Sequence, residues 1–296
     1  MSKVCTLNSG VSTKMSADGA RNTVIVTGAA GGIGRALVSA AIEAGYRVAL
    51  LDRDRDGLDR IFDALGDFDQ GDLLFARPTD VAKEEDCVGA VKDVADRFGN
   101  IVALVNAAGI GMVVIRDSHM IEPVRFAEVS ADQWDHFFAI NTKGPFLMAK
   151  AVLPYLTDAG WGRIVNVTTS MDTMYRSGFC PYGPSKAALE AATAIWAQEL
   201  DGTGVTVNVL TPGGPTDTAM LGQKLPFARS TMIRPGVMQA PLKWLLSKHS
   251  DAVNGHRFIG RYWDPKLPAT QAAKLAGGPA AWPEAGQAGV WPKTGE

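Results

Sequence analysis

The sequence predicts an α/β fold, a doubly wound parallel sheet of six to seven strands with helices on both faces. From position 23 onward, short runs of β-branched and aliphatic residues alternate with longer segments of helical periodicity. The short runs are apolar along their whole length, as strands covered on both faces are. No boundary or internal repeat interrupts the series, so one large domain is expected rather than two.

Each predicted strand is one of these apolar runs, and each predicted helix is long enough to cross back over the sheet. The strands are 23–27 (TVIVT), 47–51 (RVALL), 72–77 (DLLFAR), 101–105 (IVALV), 163–168 (RIVNVT) and 205–211 (VTVNVLT), with a weaker run at 257–259 (RFI). The helices are 34–44, 83–97, 132–156 and 184–200. This alternation predicts a Rossmann-type arrangement.

Both ends of the chain depart from the pattern. Residues 1–22 are rich in Ser, Thr and Gly without an apolar core of signal-peptide length, so we expect a flexible N-terminal extension and no export. The domain is then predicted over 23–262. In the C-terminal extension, 263–296, dense prolines disfavour both helix and central strand.

Three tryptophans in that extension, Trp263, Trp282 and Trp291, carry too much apolar area to leave in water without reason. We therefore expect them to be largely buried, with the extension lying across its own domain or across a neighbouring subunit. A disordered tail is the alternative.

Composition disfavours several classes of function. The chain has 29 Lys and Arg against 31 Asp and Glu, with no basic block, which disfavours nucleic-acid binding and leaves a small molecule as the expected ligand. Cys5, Cys87 and Cys180 are odd in number and scattered, which predicts a reducing compartment, the cytoplasm. The longest apolar stretch, 101–115, is too short to span a membrane, and the histidines lack the paired spacing of a metal site.

A glycine-rich turn, TGAAGGIG over residues 27–34, follows the first strand and opens the first helix. Gly28, Gly32 and Gly34 allow the backbone, with that of Ile33, to approach a pyrophosphate. Free N–H groups and the helix dipole then meet its charge. This context predicts a dinucleotide site rather than an ordinary flexible loop.

The end of the second strand adds a signal for the cofactor's ribose. Asp52 lies there, 24 residues after Gly28. A carboxylate at this place accepts hydrogen bonds from a ribose and repels a 2′-phosphate, so NAD is predicted and NADP is less favoured. Arg53, the next residue, opposes this preference because its guanidinium can compensate a phosphate charge.

A second constellation carries the chemistry. Tyr182 and Lys186 are four residues apart, so a helix presents both on one face to a common ligand. A phenol has a pKa near 10, so supplying phenolate near neutral pH requires roughly 4 kcal/mol of preferential stabilisation of the charged form. Lys186 and a cationic nicotinamide would supply it. Cys180, close by, is interpreted as a small buried residue rather than a reactive thiol.

These features together resemble the classical short-chain dehydrogenase/reductase family over residues 23 to about 260. The glycines have three residues and then one between them, as in that family. Asp80-Val81 after the third strand resembles the pair that contacts adenine. The run of Asn106, Ala107, Ala108 and Gly109 resembles the sequence that closes the fourth strand beside the cofactor. The resemblance therefore covers both ends of the predicted site.

The resemblance also implies a turn toward the nicotinamide after the sixth strand. Asn208 through Pro212 and Gly213 match that strand and its turn. A threonine usually follows and contacts the carboxamide. Thr216 and Thr218 straddle the usual place, and either of them can take this role.

Four roles follow from the same resemblance. Tyr182 would act as general acid or base, Lys186 would hold the nicotinamide ribose and lower the tyrosine pKa, and Asn141 would support a water-mediated proton path. The fourth role, a hydroxyl that polarises the substrate oxygen, usually falls to a serine thirteen residues before the tyrosine. That position is Thr169, and Ser170 is its neighbour. Alternate strand residues face opposite sides, so only one of them should aim at the substrate, and the spacing favours Thr169.

The implied activity is interconversion of a secondary alcohol and a ketone by hydride transfer with NAD. A catalytically inactive dinucleotide-binding sensor or structural subunit of the same fold is the alternative. Relatives assemble through their long helices, so a homo-oligomer, most often a tetramer, is expected from the helices at 132–156 and 184–200. The loop 110–129 and the segment 220–241 are expected to line the substrate pocket. The side chains singled out there are Met112, His119, Met120, Phe126, Met220, Phe227, Met232 and Met238, which favour a partly apolar substrate. A packed lid would have the same composition and is the alternative.

Overall fold

The sheet has eight strands among the residues described by the computed structural model, which are 21–65 and 72–283. They are β1 (Thr23–Thr27), β2 (Arg47–Asp52), β3 (Leu74–Pro78), β4 (Ile101–Asn106), β5 (Gly162–Val167), β6 (Val205–Thr211), β7 (His256–Ile259) and β8 (Gly277–Pro279). Their order across the sheet is β3-β2-β1-β4-β5-β6-β7-β8. Strands β1 to β7 pair in parallel, and β8 runs antiparallel to β7. The parallel α/β fold predicted from the sequence is confirmed, with one strand more than expected.

Helices cover both faces of this sheet. They are α1 (Gly32–Glu43), α2 (Arg55–Ala64), α3 (Glu84–Phe98), α4 (Ala131–Phe138), α5 (Gly144–Asp158), α6 (Met171–Tyr175), α7 (Tyr182–Glu199), α8 (Gln239–Leu245) and α9 (Ala269–Ala276). Val24 and Val26 of β1 pack into a core with α1, α8 and α9, whereas Ile25 packs into the opposite core with α3 and α5. Successive strand residues point to opposite faces, so one apolar run serves both cores. No helix in the described ranges is long and apolar enough to cross a membrane.

The strand order reverses at β1, which lies between β2 and β4. The chain winds outward from this point in both directions. In a sheet of this kind the loops that follow the strands on either side of the reversal leave a crevice at the carboxyl ends. The functional site is therefore expected beyond the ends of β1 and β4.

The single helix predicted over 132–156 is wrong, because the structure divides it into α4 and α5. A π-helical turn over Ala139–Lys143 separates the two. Pro145, in the first turn of α5, has no N–H to donate to the carbonyl group of Asn141, so the regular ladder of hydrogen bonds opens there.

The C-terminal extension is more regular than its proline content predicts. Helix α9 fits between Pro268 and Pro279, and β8 lies at the edge of the sheet, where a missing proline N–H is tolerated. Trp263 is buried against Trp244, with ring centroids 5.6 Å apart. Trp282 is 38% exposed. Trp291, Cys5 and residues 1–20 lie outside the described residues.

Candidate active site

A cavity of about 730 Å³ lies beyond the carboxyl ends of β1, β4, β5 and β6. Most of the predicted site residues line it: Gly28, Gly32, Ile33, Gly34, Asp52, Asp80, Val81, Ala107, Gly109, Thr169, Ser170, Tyr182, Lys186, Pro212, Gly213, Thr216 and Thr218. Asn106 and Asn141 lie behind the lining. The structure thus brings the glycine-rich turn and the Tyr-Lys pair to one cavity.

The glycine-rich turn is packed against the end of β4. Gly28 has a φ of +65°, and a Cβ atom there would lie 2.6 Å from the Cα atom of Ala108. A Cβ atom on Gly34 would lie 2.0 Å from the carbonyl oxygen of Gly28. The Thr27 hydroxyl oxygen accepts from the backbone N–H groups of Ala107 and Ala108 at 3.2 and 3.1 Å. Only glycine fits at positions 28 and 34 of this turn, because backbone occupies the space of a side chain there.

Asp52 is held by main-chain donors at the end of β2. Its Oδ2 accepts from the N–H of Ala30 at 2.9 Å, and its Oδ1 accepts from the N–H of Asp54 at 3.0 Å. Asp54 in turn caps α2 by accepting from the N–H of Gly57 at 3.0 Å. The Asp52 carboxylate is therefore fixed between the glycine-rich turn and α2. Arg53 lies beside it and also lines the cavity.

Both the oxygen and the nitrogen of the Asn141 side-chain amide form hydrogen bonds within the protein. Its Oδ1 accepts from the N–H of Ile110 at 2.9 Å, and its Nδ2 donates to the Ile110 carbonyl oxygen and to the Ser185 hydroxyl oxygen, both at 3.0 Å. The π-helical turn presents Asn141 to these two partners. The amide thus ties α7 to the loop that follows β4. Asn106, also buried, donates to the Oδ1 of Asn166 at 2.9 Å.

Tyr182 is the first residue of α7, and Lys186 follows one turn later on the same face. The Lys186 Nζ is buried and donates to the Val167 carbonyl oxygen at 2.9 Å. Burial lowers the pKa of Lys186 to about 8. Burial also raises the pKa of the Tyr182 phenol, while a hydrogen bond with Thr169 acts to lower it. The lysine ammonium therefore contacts the end of β5, and burial favours the protonated form of the phenol.

The two candidate hydroxyl groups at the end of β5 have different partners. A side-chain interaction of Thr169 with the Tyr182 phenol acts to lower the pKa of that phenol. The Ser170 hydroxyl lies 2.7 Å from the Thr173 hydroxyl, and Ser170 is the N-cap residue immediately before α6. Both residues line the cavity. Thr169 is the one whose side chain meets the tyrosine.

The turn after β6 packs against the glycine-rich turn. A Cβ atom on Gly32 would lie 2.7 Å from the Thr218 Cγ2 atom, so the Thr218 methyl group lies directly over that glycine. The Thr216 hydroxyl instead donates to the Gly214 carbonyl oxygen at 3.0 Å. Gly213 has a φ of +96°, which favours glycine. Thr218 is therefore the nearer of the two threonines to the glycine-rich turn.

The substrate side of the cavity is only partly the one expected. Met112, His119, Met120 and Met220 line the cavity; Phe126, Phe227, Met232 and Met238 do not. Phe126 is 80% exposed. Met232 and Met238 are buried, the latter in the core beside α1 and α8. These four expectations are wrong, because an apolar side chain in an irregular segment can reach the cavity, the core or the solvent.

Two aromatic rings connect the loop after β4 to Tyr182. The His119 Nδ1 lies 3.2 Å from the Arg116 carbonyl oxygen, and burial lowers the pKa of His119. Its ring packs edge-on against Phe179 at a centroid distance of 6.3 Å. Phe179 lies 6.5 Å from the Tyr182 ring. A neutral His119 thus belongs to the wall beside the phenol.

The segment between Thr169 and Tyr182 contributes further residues to the cavity that were not predicted from the sequence. Asp172, Thr173, Arg176 and Phe179 line the cavity, as does Arg261 after β7. The first four residues could have been predicted from their position between Thr169 and Tyr182. A short segment that connects two residues of the same site passes close to that site.

Two smaller expectations concern sulfur and metal. Cys180 is a half-buried free thiol, and burial raises its pKa, which disfavours thiolate. Over residues 21–65 and 72–283, no three His, Cys, Asp or Glu side chains come together as metal ligands would.

Comparison with known proteins places the chain in a family. Residues 22–227 match the short chain dehydrogenase family. The chain is 35% identical over 188 residues to D-threitol dehydrogenase of Mycolicibacterium smegmatis, covering 64% of this chain and 68% of that protein. It is 32% identical over 212 residues to the NADPH-dependent aldehyde reductase-like protein, chloroplastic, of Arabidopsis thaliana, covering 68% of this chain and 74% of that protein.

A solved structure is similar over most of its length. It is the crystal structure of 3-ketoacyl-(acyl-carrier-protein) reductase from Brucella melitensis complexed with NADH, with a TM-score of 0.68 and 25% sequence identity. The similarity covers 79% of this chain and 93% of that chain. The chain belongs to the short-chain dehydrogenase family, whose members are oxidoreductases that use NAD or NADP.

Proposed function

We propose that the protein is an NAD-dependent oxidoreductase that interconverts a secondary alcohol and a ketone, with Tyr182 as general acid and base. One observation carries this proposal. The Tyr182 phenol, which lies beside Thr169 and one turn from the buried Lys186, shares a cavity with the glycine-rich turn, in which backbone fills the space of a Cβ atom at Gly28 and Gly34. A phenol beside a buried cation is suited to proton exchange with an alcohol.

The residues present fit a dinucleotide. The backbone of the glycine-rich turn is open to the cavity at Gly32 and at the start of α1, where free N–H groups and the helix dipole favour a pyrophosphate. Asp80 and Val81 line the cavity beyond β3, where we assign the adenine. When bound, the nicotinamide supplies the two-electron acceptor or donor that alcohol oxidation or ketone reduction requires.

We favour NAD over NADP because of Asp52. Its carboxylate is fixed by two main-chain N–H groups, so it cannot turn away from an added 2′-phosphate. Arg53 acts in the opposite direction. The relatives differ as well, because one name specifies NADPH and one structure contains NADH. The fixed position of Asp52 therefore decides our preference.

The proposed roles follow from the contacts at the end of β5. In oxidation, Tyr182 takes the proton of the substrate hydroxyl, and in reduction it returns the proton to the developing alkoxide. Thr169 donates a hydrogen bond to the same substrate oxygen. Lys186 favours the ionised phenol by its charge and binds the ribose hydroxyl groups. Asn141 supports the proton path by holding the Ile110 backbone beside the cavity.

The substrate is proposed to be a small secondary alcohol or ketone. Met112, Met120 and Met220 give one apolar wall, while Asp172 and Arg176 give a polar one. Such a mixed wall suits a substrate with both carbon surface and further polar groups. The relative named D-threitol dehydrogenase agrees with this class, because threitol carries secondary hydroxyl groups, whereas the relative named for aldehyde reduction points to a terminal carbonyl instead.

For assembly we propose a homo-oligomer, with a tetramer favoured. The long helices α5 and α7 expose Phe146, Tyr155 and Ile195, which are 47%, 38% and 53% accessible in the single chain. Large apolar side chains on neighbouring helices are typical of a surface that a second copy covers. Light scattering that shows a monomer at micromolar concentration would contradict this assembly.

For location we propose the cytoplasm, and the free thiols of Cys87 and Cys180 agree with this proposal.

The decisive experiment is NAD reduction over a panel of secondary alcohols, followed by the absorbance of NADH. The panel contains polyols, sugar acids, hydroxyacyl compounds, steroids and aromatic alcohols, and Tyr182→Phe serves as the inactive control. We expect turnover with at least one class, and turnover lower by roughly a hundredfold or more with the variant. Binding of NADH without turnover of any class would favour the alternative, a dinucleotide-binding sensor or structural subunit.

A further inference from the structure

A buried ion pair lies directly behind the strand end that presents Thr169. Arg257 on β7 donates from Nε to the Oε1 of Glu190 at 2.9 Å, and from Nη2 to the Thr169 carbonyl oxygen at 2.7 Å. The Oε2 of Glu190 accepts from the Thr168 hydroxyl at 2.8 Å. The Glu190 side chain is fully buried and that of Arg257 is 9% exposed. The two charged groups therefore connect α7 and β7 to two consecutive residues of the active-site segment.

The location of this pair is unusual within the molecule. Arg163, at the opposite end of the sheet, is also buried, but its partner Asp251 is 50% exposed and solvated. Burying both charges of a pair costs desolvation free energy on both sides, and apolar replacements of such pairs are often as stable. Stability alone therefore explains Glu190 and Arg257 poorly.

The sheet does not hold the segment that the pair contacts. The last residue of β5 paired with a neighbouring strand is Val167, opposite Leu210. From this residue onward, three consecutive positions are contacted by buried charged side chains: Val167 by Lys186, and then, beyond the pairing, Thr168 by Glu190 and Thr169 by Arg257. Lys186 and Glu190 lie one turn apart on the face of α7 that begins with Tyr182. The same helix face thus carries the phenol and fixes the strand end opposite it.

We propose that Glu190 and Arg257 are positioning residues that place the Thr169 hydroxyl against Tyr182 and the substrate oxygen. This inference rests on the function proposed above. Arg257 holds the Thr169 main chain from behind, so the side chain projects into the cavity from a fixed Cα position. Glu190 orients that guanidinium and anchors Thr168 in the same way. Neither residue lines the cavity, so neither touches the substrate.

This role predicts a distinctive loss in kinetics. If the strand end moves, the hydrogen bond from Thr169 is lost in the transition state, while the glycine-rich turn and Asp52 are untouched. A misplacement of about 1 Å at a reacting group can lower turnover roughly a hundredfold. The expected signature is therefore a lower kcat with unchanged KM and unchanged NADH affinity.

The test uses the full-length protein and four variants. The double variant Glu190→Met with Arg257→Met removes both charges and keeps the volume, so it is expected to fold. Glu190→Gln keeps the shape and gives up one acceptor, and Arg257→Lys keeps the charge and can reach only one of the two partners. Arg163→Met is the matched control, because it removes a buried arginine far from the cavity. For each we would measure kcat, KM, the Kd of NADH by fluorescence, and Tm.

We expect the double variant to lose roughly tenfold or more in kcat, with KM, NADH affinity and Tm close to those of the wild type. Glu190→Gln and Arg257→Lys should retain more kcat than the double variant. Arg163→Met should lower Tm and leave kcat unchanged. A double variant with wild-type kcat would overturn the positioning role. If the double variant does not fold, Glu190→Gln decides, because wild-type kcat in that variant overturns the inference.

The outcomes separate this inference from the proposed function. A wild-type protein that binds NADH and turns over no alcohol overturns the function. An active wild type, an impaired Thr169→Val variant and a fully active double variant together overturn the positioning role alone. A fall in kcat that merely follows Tm, as measured against Arg163→Met, also overturns it, because a purely structural role predicts that relation.

Discussion

The two ends of the cavity are built in different ways. At the cofactor end, main-chain groups meet the functional positions: Thr27 and Asp52 accept from backbone N–H groups, and Gly28 leaves space that backbone fills. At the chemical end, the contacts come from buried side chains. Tyr182 interacts with Thr169, and the charged Arg257 contacts the Thr169 main chain from behind. The first end depends on the path of the chain, and the second depends on the identity of single side chains. Substitutions should therefore separate binding from turnover.

Loss of the phenol should give the largest effect. In Tyr182→Phe the ring and its packing remain, but proton exchange with the substrate oxygen is gone, so kcat should fall roughly 10²- to 10⁴-fold. The Kd of NADH, measured by fluorescence, should stay close to that of the wild type. A comparable loss of NADH affinity would mean that the two ends are not independent.

The hydroxyl pair at the end of β5 tests the chemical end more finely. Thr169→Val keeps the shape and removes the donor, so kcat should fall roughly a hundredfold or more. Ser170→Ala should remain near the wild type, because the Ser170 hydroxyl pairs with Thr173 instead. The steady-state kcat of each variant shows whether Thr169 or Ser170 supplies the hydroxyl that contacts the substrate oxygen. The reverse pattern would assign the role to Ser170, and two active variants would remove the hydroxyl from the mechanism.

Lys186 should make stability depend on pH. Its pKa falls from 10.5 to about 8 on folding, so the unfolded chain binds more protons between these values and the free energy of unfolding rises with pH there. The shift corresponds to about 3 kcal/mol at most. Denaturant unfolding at pH 7 to 10 should show this rise in the wild type relative to Lys186→Met. Parallel curves for the two proteins would exclude a strongly shifted lysine.

At the cofactor end, a single methyl group should be enough to disturb the site. Gly28→Ala places a Cβ atom 2.6 Å from the backbone of Ala108, and the positive φ of Gly28 disfavours alanine. We expect a loss of about 1 to 3 kcal/mol in the free energy of unfolding, together with weaker NADH binding. Calorimetric Tm and NADH titration would check both. Gly202→Ala is the control for φ, because Gly202 also has a positive φ of +77° but meets nothing within 4 Å.

The smallest effect concerns the choice of cofactor. The wild type should bind NADH more tightly than NADPH, and Asp52→Ala should narrow the difference by roughly fivefold or less, since partly exposed charges contribute up to about 1 kcal/mol. Arg53→Ala removes the neighbouring positive charge, and it should widen the difference between the NADH and NADPH affinities. Equal affinities in the unmodified protein would contradict the preference for NAD.

The cofactor end was open to prediction from sequence because main-chain requirements leave local marks. Gly28 and Gly34 are glycine because backbone fills the space of a Cβ atom, and Asp52 ends a strand at a regular distance. At the chemical end, only some of the residues can be identified from local sequence spacing. Tyr182 and Lys186 follow helical spacing, and Glu190 continues it.

Arg257 could not be predicted by such spacing, since β7 reaches α7 only through the tertiary fold. The loops around the substrate were the least predictable part. Phe126, Phe227, Met232 and Met238 have the composition of a pocket wall, yet an irregular segment has no period that assigns its side chains to one side. The break between α4 and α5 belongs to the same class, because helical periodicity continued through it and only Pro145 marked it.

The antiparallel strand β8 also limits what can add to the sheet. It is three residues long, Gly277–Pro279, and it ends at a residue with no N–H group. Its outer side therefore offers little to a further strand, whereas β7 alone would expose a row of unpaired donors and acceptors next to the apolar Phe258. Short strands and proline at such an edge are a known protection against strand-to-strand aggregation. In the described part of the C-terminal extension, β8 thus covers the edge of β7, and a protein shortened before Gly277 would have an open edge there.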